Sequence, residues 1–117
     1  MTRHLIEAYK TELDRIAAEH PDVTEGKLFG CVAYYINKKM TVCLFDEYLF
    51  IKLPADRAAE TIRSNPDASD KTPMDPTRGM GKEWVFLKVV QASLITSAYK
   101  ELIEESFDHL RRVTSGL

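Results

Sequence analysis

Residues 27–53 read KLFGCVAYYINKKMTVCLFDEYLFIKL, and the fold turns on them. Three runs rich in β-branched and aromatic residues are separated only by Asn37-Lys38 and Asp46-Glu47. Runs of that kind, broken by two polar residues, read as a β-meander of strand, tight turn, strand, tight turn, strand. If each turn holds two residues, the registers follow. Ile36 pairs with Lys39, Tyr35 faces Met40, Ala33 faces Val42 and Cys31 faces Leu44. Past the second turn, Leu44 faces Leu49, Val42 faces Ile51 and Met40 faces Leu53. Side chains alternate with period two. The pairings therefore gather Phe29, Cys31, Ala33, Tyr35, Met40, Val42, Leu44, Leu49, Ile51 and Leu53 on one predicted core face. Cys31 and Cys43 fall on opposite faces in this register, which excludes a disulfide between them, and two cysteines make no disulfide framework.

Upstream, Leu5, Ile6, Tyr9, Leu13, Ile16 and Ala17 recur at helical steps, with Glu7, Lys10, Glu12, Asp14 and Glu19 on the other side. This predicts an amphipathic helix with Thr2 placed as its N-cap. His20-Pro21 ends it, because the residue before proline is pushed out of the α region. Residues 21–27 read as a polar connector. Downstream, residues 54–65 predict a short helix, with Pro54 in its first turn and Asp56 near its positive end. Residues 70–75 read as a short strand that Pro73 confines to a sheet edge. Residues 76–83 form a turn carrying Arg78-Gly79-Met80-Gly81-Lys82, residues 84–90 a strand, and residues 93–113 a last amphipathic helix. The predicted class is α+β: an antiparallel sheet with helices, in the order helix, three strands, helix, two strands, helix, as one domain over residues 1–117.

Composition narrows the function classes. The 117 residues suit one domain, and a net charge of −2 supplies no global basic field for nucleic acid or an anionic membrane. No apolar run approaches the ~18 residues that a membrane span needs, and no leader pattern opens the chain. The expectation is a cytoplasmic protein.

The order of elements and several strings resemble the N-terminal domain of the TfoX/Sxy family, named for regulators of bacterial natural competence. Lys27 and Phe29-Gly30 match the basic residue and Phe-Gly step that open the family's sheet. Asn37-Lys38, the strand at residues 40–45, Asp46-Glu47 and the strand at residues 49–52 ending in Lys52 match its turns and strands. Asp75-Pro76, Arg78-Gly79-Met80-Gly81 and Lys82-Glu83-Trp84-Val85 match its later loop and string. Lys38 stands where the family's turn has glycine, and Gly81 where proline is common. The resemblance spans most of residues 1–113 and leaves out the second, C-terminal domain of the full-length regulators. It implies a secretion chaperone-like α+β architecture and a regulatory role, and it brings no catalytic residues or cofactor.

The residues themselves point away from catalysis. His4, His20 and His109 lie far apart, without metal-pair spacing. Cys31 and Cys43 lie mid-strand, where a cysteine serves as a small hydrophobe. Acidic pairs such as Glu104-Glu105 are helix-surface charges, and the segment from Arg78 to Lys82 lacks P-loop spacing.

The second sheet face carries the functional expectation. By the register above it presents Val32, Tyr34, Thr41, Cys43, Phe45, Tyr48, Phe50, Lys52, Trp84, Phe86 and Lys88. A face left to water should read polar, and this one is aromatic with lysines near its ends. Such a patch is covered by the chain itself, by a second subunit or by a ligand. Tyr34, Phe45, Phe50, Lys52, Trp84, Phe86 and Lys88, with Arg78 and Lys82 of the loop, are the candidate binding residues. They suit a protein-interaction module, a homodimer or other protein partner. The alternative is a nucleic-acid accessory protein using Lys38, Lys39, Arg78, Lys82 and Lys88. A third is a small-molecule pocket lined by Trp84, Tyr34 and Lys52.

Overall fold

A computed structural model describes residues 3–28, 31–73, 75 and 77–115. In chain order the elements are α1 (Arg3–Ala17), β1 (Val23–Leu28), β2 (Cys31–Ile36), β3 (Lys39–Phe45), β4 (Tyr48–Lys52), α2 (Ala55–Ser64), β5 (Ala68–Ser69), β6 (Trp84–Lys88), α3 (Leu94–Ser97) and α4 (Lys100–Thr114). The strands form one six-stranded sheet in the order β1-β2-β3-β4-β6-β5, antiparallel throughout. The α+β class holds. Expectations resting on Thr2, Phe29, Gly30 and Pro76, and on the His4 side chain, lie outside the described residues.

Three boundaries differ from the sequence reading. The connector at residues 21–27 is largely strand: β1 pairs with β2 from Val23↔Ile36 to Leu28↔Cys31. Half of its residues are exposed and none is buried, so it takes its order from the ladder to β2 and little from its own apolar content. Gly26 helps, because the Tyr35 ring lies 3.1 Å from where its Cβ would be. The edge strand expected at residues 70–75 is instead the two-residue β5. Beyond it the chain closes on itself, with Thr72 N–H donating to Arg78 O (2.8 Å) and Arg78 N–H to Asp75 O (3.0 Å). The last helix is broken at Ala98 and Tyr99, whose φ angles of −122° and −114° leave the helical range. Ile95, Thr96 and Ser97 are weak helix formers, and the break lets α3 lean on α1 while α4 crosses the sheet.

Both meander turns hold two residues. Ile36 pairs with Lys39 and Tyr35 with Met40, and Asn37 and Lys38 have φ of 49° and 67°, the positive pair of a type I′ hairpin turn. Phe45 pairs with Tyr48 across Asp46-Glu47. Between them lies an irregularity that the sequence reading lacks. After Tyr35↔Met40 the ladder resumes at Tyr34↔Val42 and Ala33↔Cys43, so Thr41 is an extra residue on β3. A β-bulge of one residue reverses the parity of everything beyond it. Val32, Tyr34 and Ile36 therefore face the helices, while Cys31, Ala33, Tyr35 and Met40 face the other side. Tyr34 is corrected from the second face to the core face. Cys31 and Cys43 are corrected from opposite faces to the same one.

The bulge is held by polar contacts in a dry place. Thr41 is fully buried. Its hydroxyl donates to Tyr34 O at 2.8 Å, and Ser106 Oγ of α4 donates to Thr41 O at 3.1 Å. The two contacts satisfy carbonyls that the interrupted ladder leaves free.

The main core lies between the sheet and the helices. Val42, Leu44, Leu49, Ile51, Leu53, Val85, Leu87 and Val89 meet Tyr9, Leu13 and Ile16 of α1, Ala58 of α2, Ile95 of α3, and Leu102, Ile103, Phe107 and Leu110 of α4. Helix α4 is tied to nearly everything around it. Lys100 pairs with Glu19 (3.0 Å), Glu105 with Arg57 of α2 (3.1 Å), and Arg111 with Asp22 (2.7 Å). His109 meets Glu83 (2.8 Å), and Asn37 of the first turn donates to Thr114 (2.7 Å).

Candidate binding surface

The opposite side of the sheet has its own apolar cluster. Ala33, Cys43, Phe50, Trp84 and Phe86 are each less than a tenth exposed, and Leu28, Cys31, Tyr35, Met40, Phe45 and Tyr48 are half-buried around them. Every one of these residues is on a strand, and no described helix residue joins them. The floor is built by cross-strand pairing: Cys43↔Phe50 and Phe50↔Phe86 put a thiol and two phenyl rings in a row. The Phe50 and Phe86 rings meet edge to face with centroids 4.8 Å apart, and Phe45 tilts against Phe50 at 6.0 Å. Broad rings set this way cover one another, and residues 66–73 lie beside Tyr48 and Phe86 at one end of the face.

Of the nine candidate residues, Phe45, Phe50, Trp84 and Phe86 belong to this cluster. Lys52 pairs with Trp84 in the ladder, and its ammonium stands 5.9 Å from the indole centroid. Lys88 pairs with Tyr48 and reaches Glu47 at 3.7 Å. Arg78 and Lys82 are exposed on the loop. Tyr34 is on the far side, where its hydroxyl donates to Asp14 at 2.7 Å. Burial, then that carboxylate, push its phenol well above the ordinary range. Its sequence neighbour Tyr35 takes the place expected of it. Cys31, Tyr35 and Met40 were missed on this face for the same reason, the bulge at Thr41, and Leu28 because β1 was not foreseen as a separate strand.

Three hollows follow the loop at the β4–β6 side. One of about 420 Å³ is lined by Ala55, Ala59 and Ile62 of α2, Asp70, Lys71, Gly79, Gly81, Lys82 and Trp84. A second of about 180 Å³ shares Gly81, Lys82 and Trp84 with it and adds Lys52 and Met80. The third, about 280 Å³, runs between residues 66–73 and the Tyr48, Phe86 and Lys88 side chains. The expected pocket of Trp84, Tyr34 and Lys52 is therefore corrected: Trp84 and Lys52 share a hollow, and the sheet separates them from Tyr34. The part played by α2 and Gly79 had no sequence signal, since it depends on how a distant loop folds back.

Charges differ between the layers. The helix-side cations Lys10, Arg57, Lys100 and Arg111 are engaged with carboxylates. No described carboxylate pairs with Lys52 or Lys82. The thiols are quiet: burial pushes Cys43 up to about 11, and burial also raises Cys31. The histidines with described side chains have partners. His20 accepts from Arg111 at Nδ1 (3.0 Å) and meets Glu104 at Nε2 (2.8 Å), and His109 meets Glu83. Among the described residues no group of three His, Cys, Asp or Glu is placed to hold a metal ion. No described helix is long and apolar enough to cross a membrane.

No family model matches the chain, and no curated protein matches it. Among solved structures, the crystal structure of Deinococcus radiodurans protein DR2400, a DUF419 domain, is similar to it. The TM-score is 0.66 at 20% sequence identity, over 92% of this chain and 80% of that one. What the two chains share at that identity is the fold.

Proposed function

We propose that this domain is a small cytoplasmic regulatory module that works through protein–protein contact. Its contact surface is the helix-free sheet face, and its simplest partner is a second copy of the chain. The observation that carries this reading is an apolar, aromatic cluster built, among the described residues, from strands alone. Aromatic residues and methionine are enriched at the centres of protein interfaces, where a rigid floor lowers the ordering cost of association. The resemblance to the TfoX N-terminal domain, through Lys82-Glu83-Trp84-Val85, belongs to the same reading. No catalytic role is part of it.

The half-buried residues are the ones to test, because Phe50 and Phe86 are structural floor. Sedimentation equilibrium should give a dimer for the native chain and a monomer for a folded Phe45→Ser/Tyr48→Ser variant. Cys31, on the same face, should alkylate slowly in the dimer and faster in the variant. A native chain that stays monomeric, with Cys31 equally reactive at every concentration, would rule out the second copy.

The nucleic-acid reading is less well served. Lys88 is engaged by Glu47, and Lys39 pairs with the buried Ile36 on the helix-covered side. Salt-sensitive binding to single-stranded DNA or RNA at low salt would restore it.

A further inference from the structure

We propose that the hollow between α2 and the loop at residues 79–82 binds a small organic anion, a flat apolar ring carrying a carboxylate or phosphate. The hollow shares Trp84 with the contact surface above, but the proposal does not rest on that reading. At about 420 Å³ the hollow falls within the ~300–1,000 Å³ typical of small-molecule sites. Its apolar lining is Ala55, Ala59 and Ile62 of α2 together with Trp84, surfaces against which a ring can pack.

The polar groups at its mouth favour one sign of charge. Two carboxylates stand near it, and both are engaged. Asp70 pairs with Lys71 at 3.7 Å, and Glu83 meets His109 at 2.8 Å. Lys82 lines the hollow with no described carboxylate against it, and Lys52 stands over the Trp84 ring in the adjoining hollow. A ring seated against Trp84 would bring its acidic group to these two cations.

The loop is shaped before any ligand arrives. Thr72 N–H to Arg78 O and Arg78 N–H to Asp75 O close its base. Gly79 is needed because a Cβ there would lie 2.6 Å from Asp70 O. Gly81 has φ of +110°, and nothing stands within 4 Å of where its Cβ would be. That opening lets a ligand approach the backbone, which is a use glycine serves.

Trp84 is the chain's one tryptophan, so its fluorescence and its indole N–H resonance report on this hollow. The chain is titrated with phenyl phosphate, benzoate, benzyl alcohol and inorganic phosphate. The two ring anions should give saturable changes with a Kd of about 1 mM or tighter, as ligands of that size permit. Benzyl alcohol and inorganic phosphate should bind more weakly. Lys82→Ala should weaken the ring anions about three- to fivefold, the scale of one exposed charge pair. Lys27→Ala, at the opposite edge of the sheet, should not. If Lys52→Ala disturbs Trp84 itself, Lys82→Ala alone decides. Absence of saturation, an equal response to benzyl alcohol, or equal weakening by Lys27→Ala would overturn the proposal. None of these results bears on whether the sheet face forms a dimer.

Discussion

The two faces of one sheet are built from different materials. The covered face is mostly aliphatic: Leu49, Ile51, Leu53, Val85, Leu87 and Val89, with Tyr34 the aromatic among them, pack against side chains descending from α1 and α4. The bare face is aromatic, with Phe45, Phe50, Trp84, Phe86, Tyr35 and Tyr48 lying against one another. Branched aliphatic side chains need a partner layer to fill the gaps between them. Broad rings cover much of one another across a sheet and still present an apolar surface. The difference separates the face that stabilises the fold from the one that is open to contact.

The largest effect should show that division directly. Leu49→Ala, at a fully buried site on the covered face, should cost about 2–5 kcal/mol. Phe45→Ala, half-buried on the bare face, removes a larger side chain yet should cost only about 1–2 kcal/mol. Urea midpoints on the folded monomer compare them. Equal losses would mean that the bare face is packed like a core.

The bulge assigns β2 its faces, so it is the next place to press. Thr41→Val leaves Tyr34 O without its donor, and Ser106→Ala does the same to Thr41 O. Each should cost about 1–3 kcal/mol. The double variant should lose less than the sum, because both contacts hold one structure. Strict additivity would argue against a shared role.

A smaller effect tests the ionic ties of the helix layer. The hydrogen bond from Arg111 is the largest cause holding the Asp22 carboxyl below its ordinary range. A depressed folded pKa contributes stability above the unfolded value, about 3.9 for Asp, and loses it as pH falls through the lower folded value. Asp22→Asn should therefore flatten the acid limb of the stability curve. The side chain is 50% exposed, so solvent screening keeps the change modest. An unaltered acid limb would show that this pair adds nothing.

Smallest is Lys38→Gly, at a turn position with φ of 67°. Relief of left-handed strain outweighs glycine's entropy cost, for a gain of roughly 0.5–1 kcal/mol. A loss would mean that Lys38 makes a contact worth more than its strain.

What could be read in the chain was whatever neighbours in sequence decide. Asn65 before Pro66 ends α2 in extended backbone, as the proline demands. Two-residue turns and strict alternation place Phe45, Phe50, Trp84 and Phe86 on their common face. The bulge escaped because its outer tie, Ser106, is 65 residues away. With it went the choice between Tyr34 and Tyr35, two identical side chains that one inserted residue sends to opposite sides. Bulk offered a hint, since Val32, Tyr34 and Ile36 outweigh Cys31 and Ala33 as core material. Strand β1 escaped because an edge strand is ordered by its neighbour's ladder, and the hollow beside Trp84 because it needs α2 and a distant loop together.

Helix α4 comes last of the described elements, yet it touches the bulge, the first hairpin turn, the segment that follows α1, helix α2 and the loop before β6. During synthesis α1 and the meander leave the ribosome well before α4, with much of both sheet faces still bare. Local turns allow the meander to pair early, but the aliphatic side lacks the part of its lid that α4 supplies until those fifteen helical residues arrive. Cooperative closure of this domain is therefore a late event in its birth, and a nascent chain halted before α4 is the form that chaperones and proteases would meet.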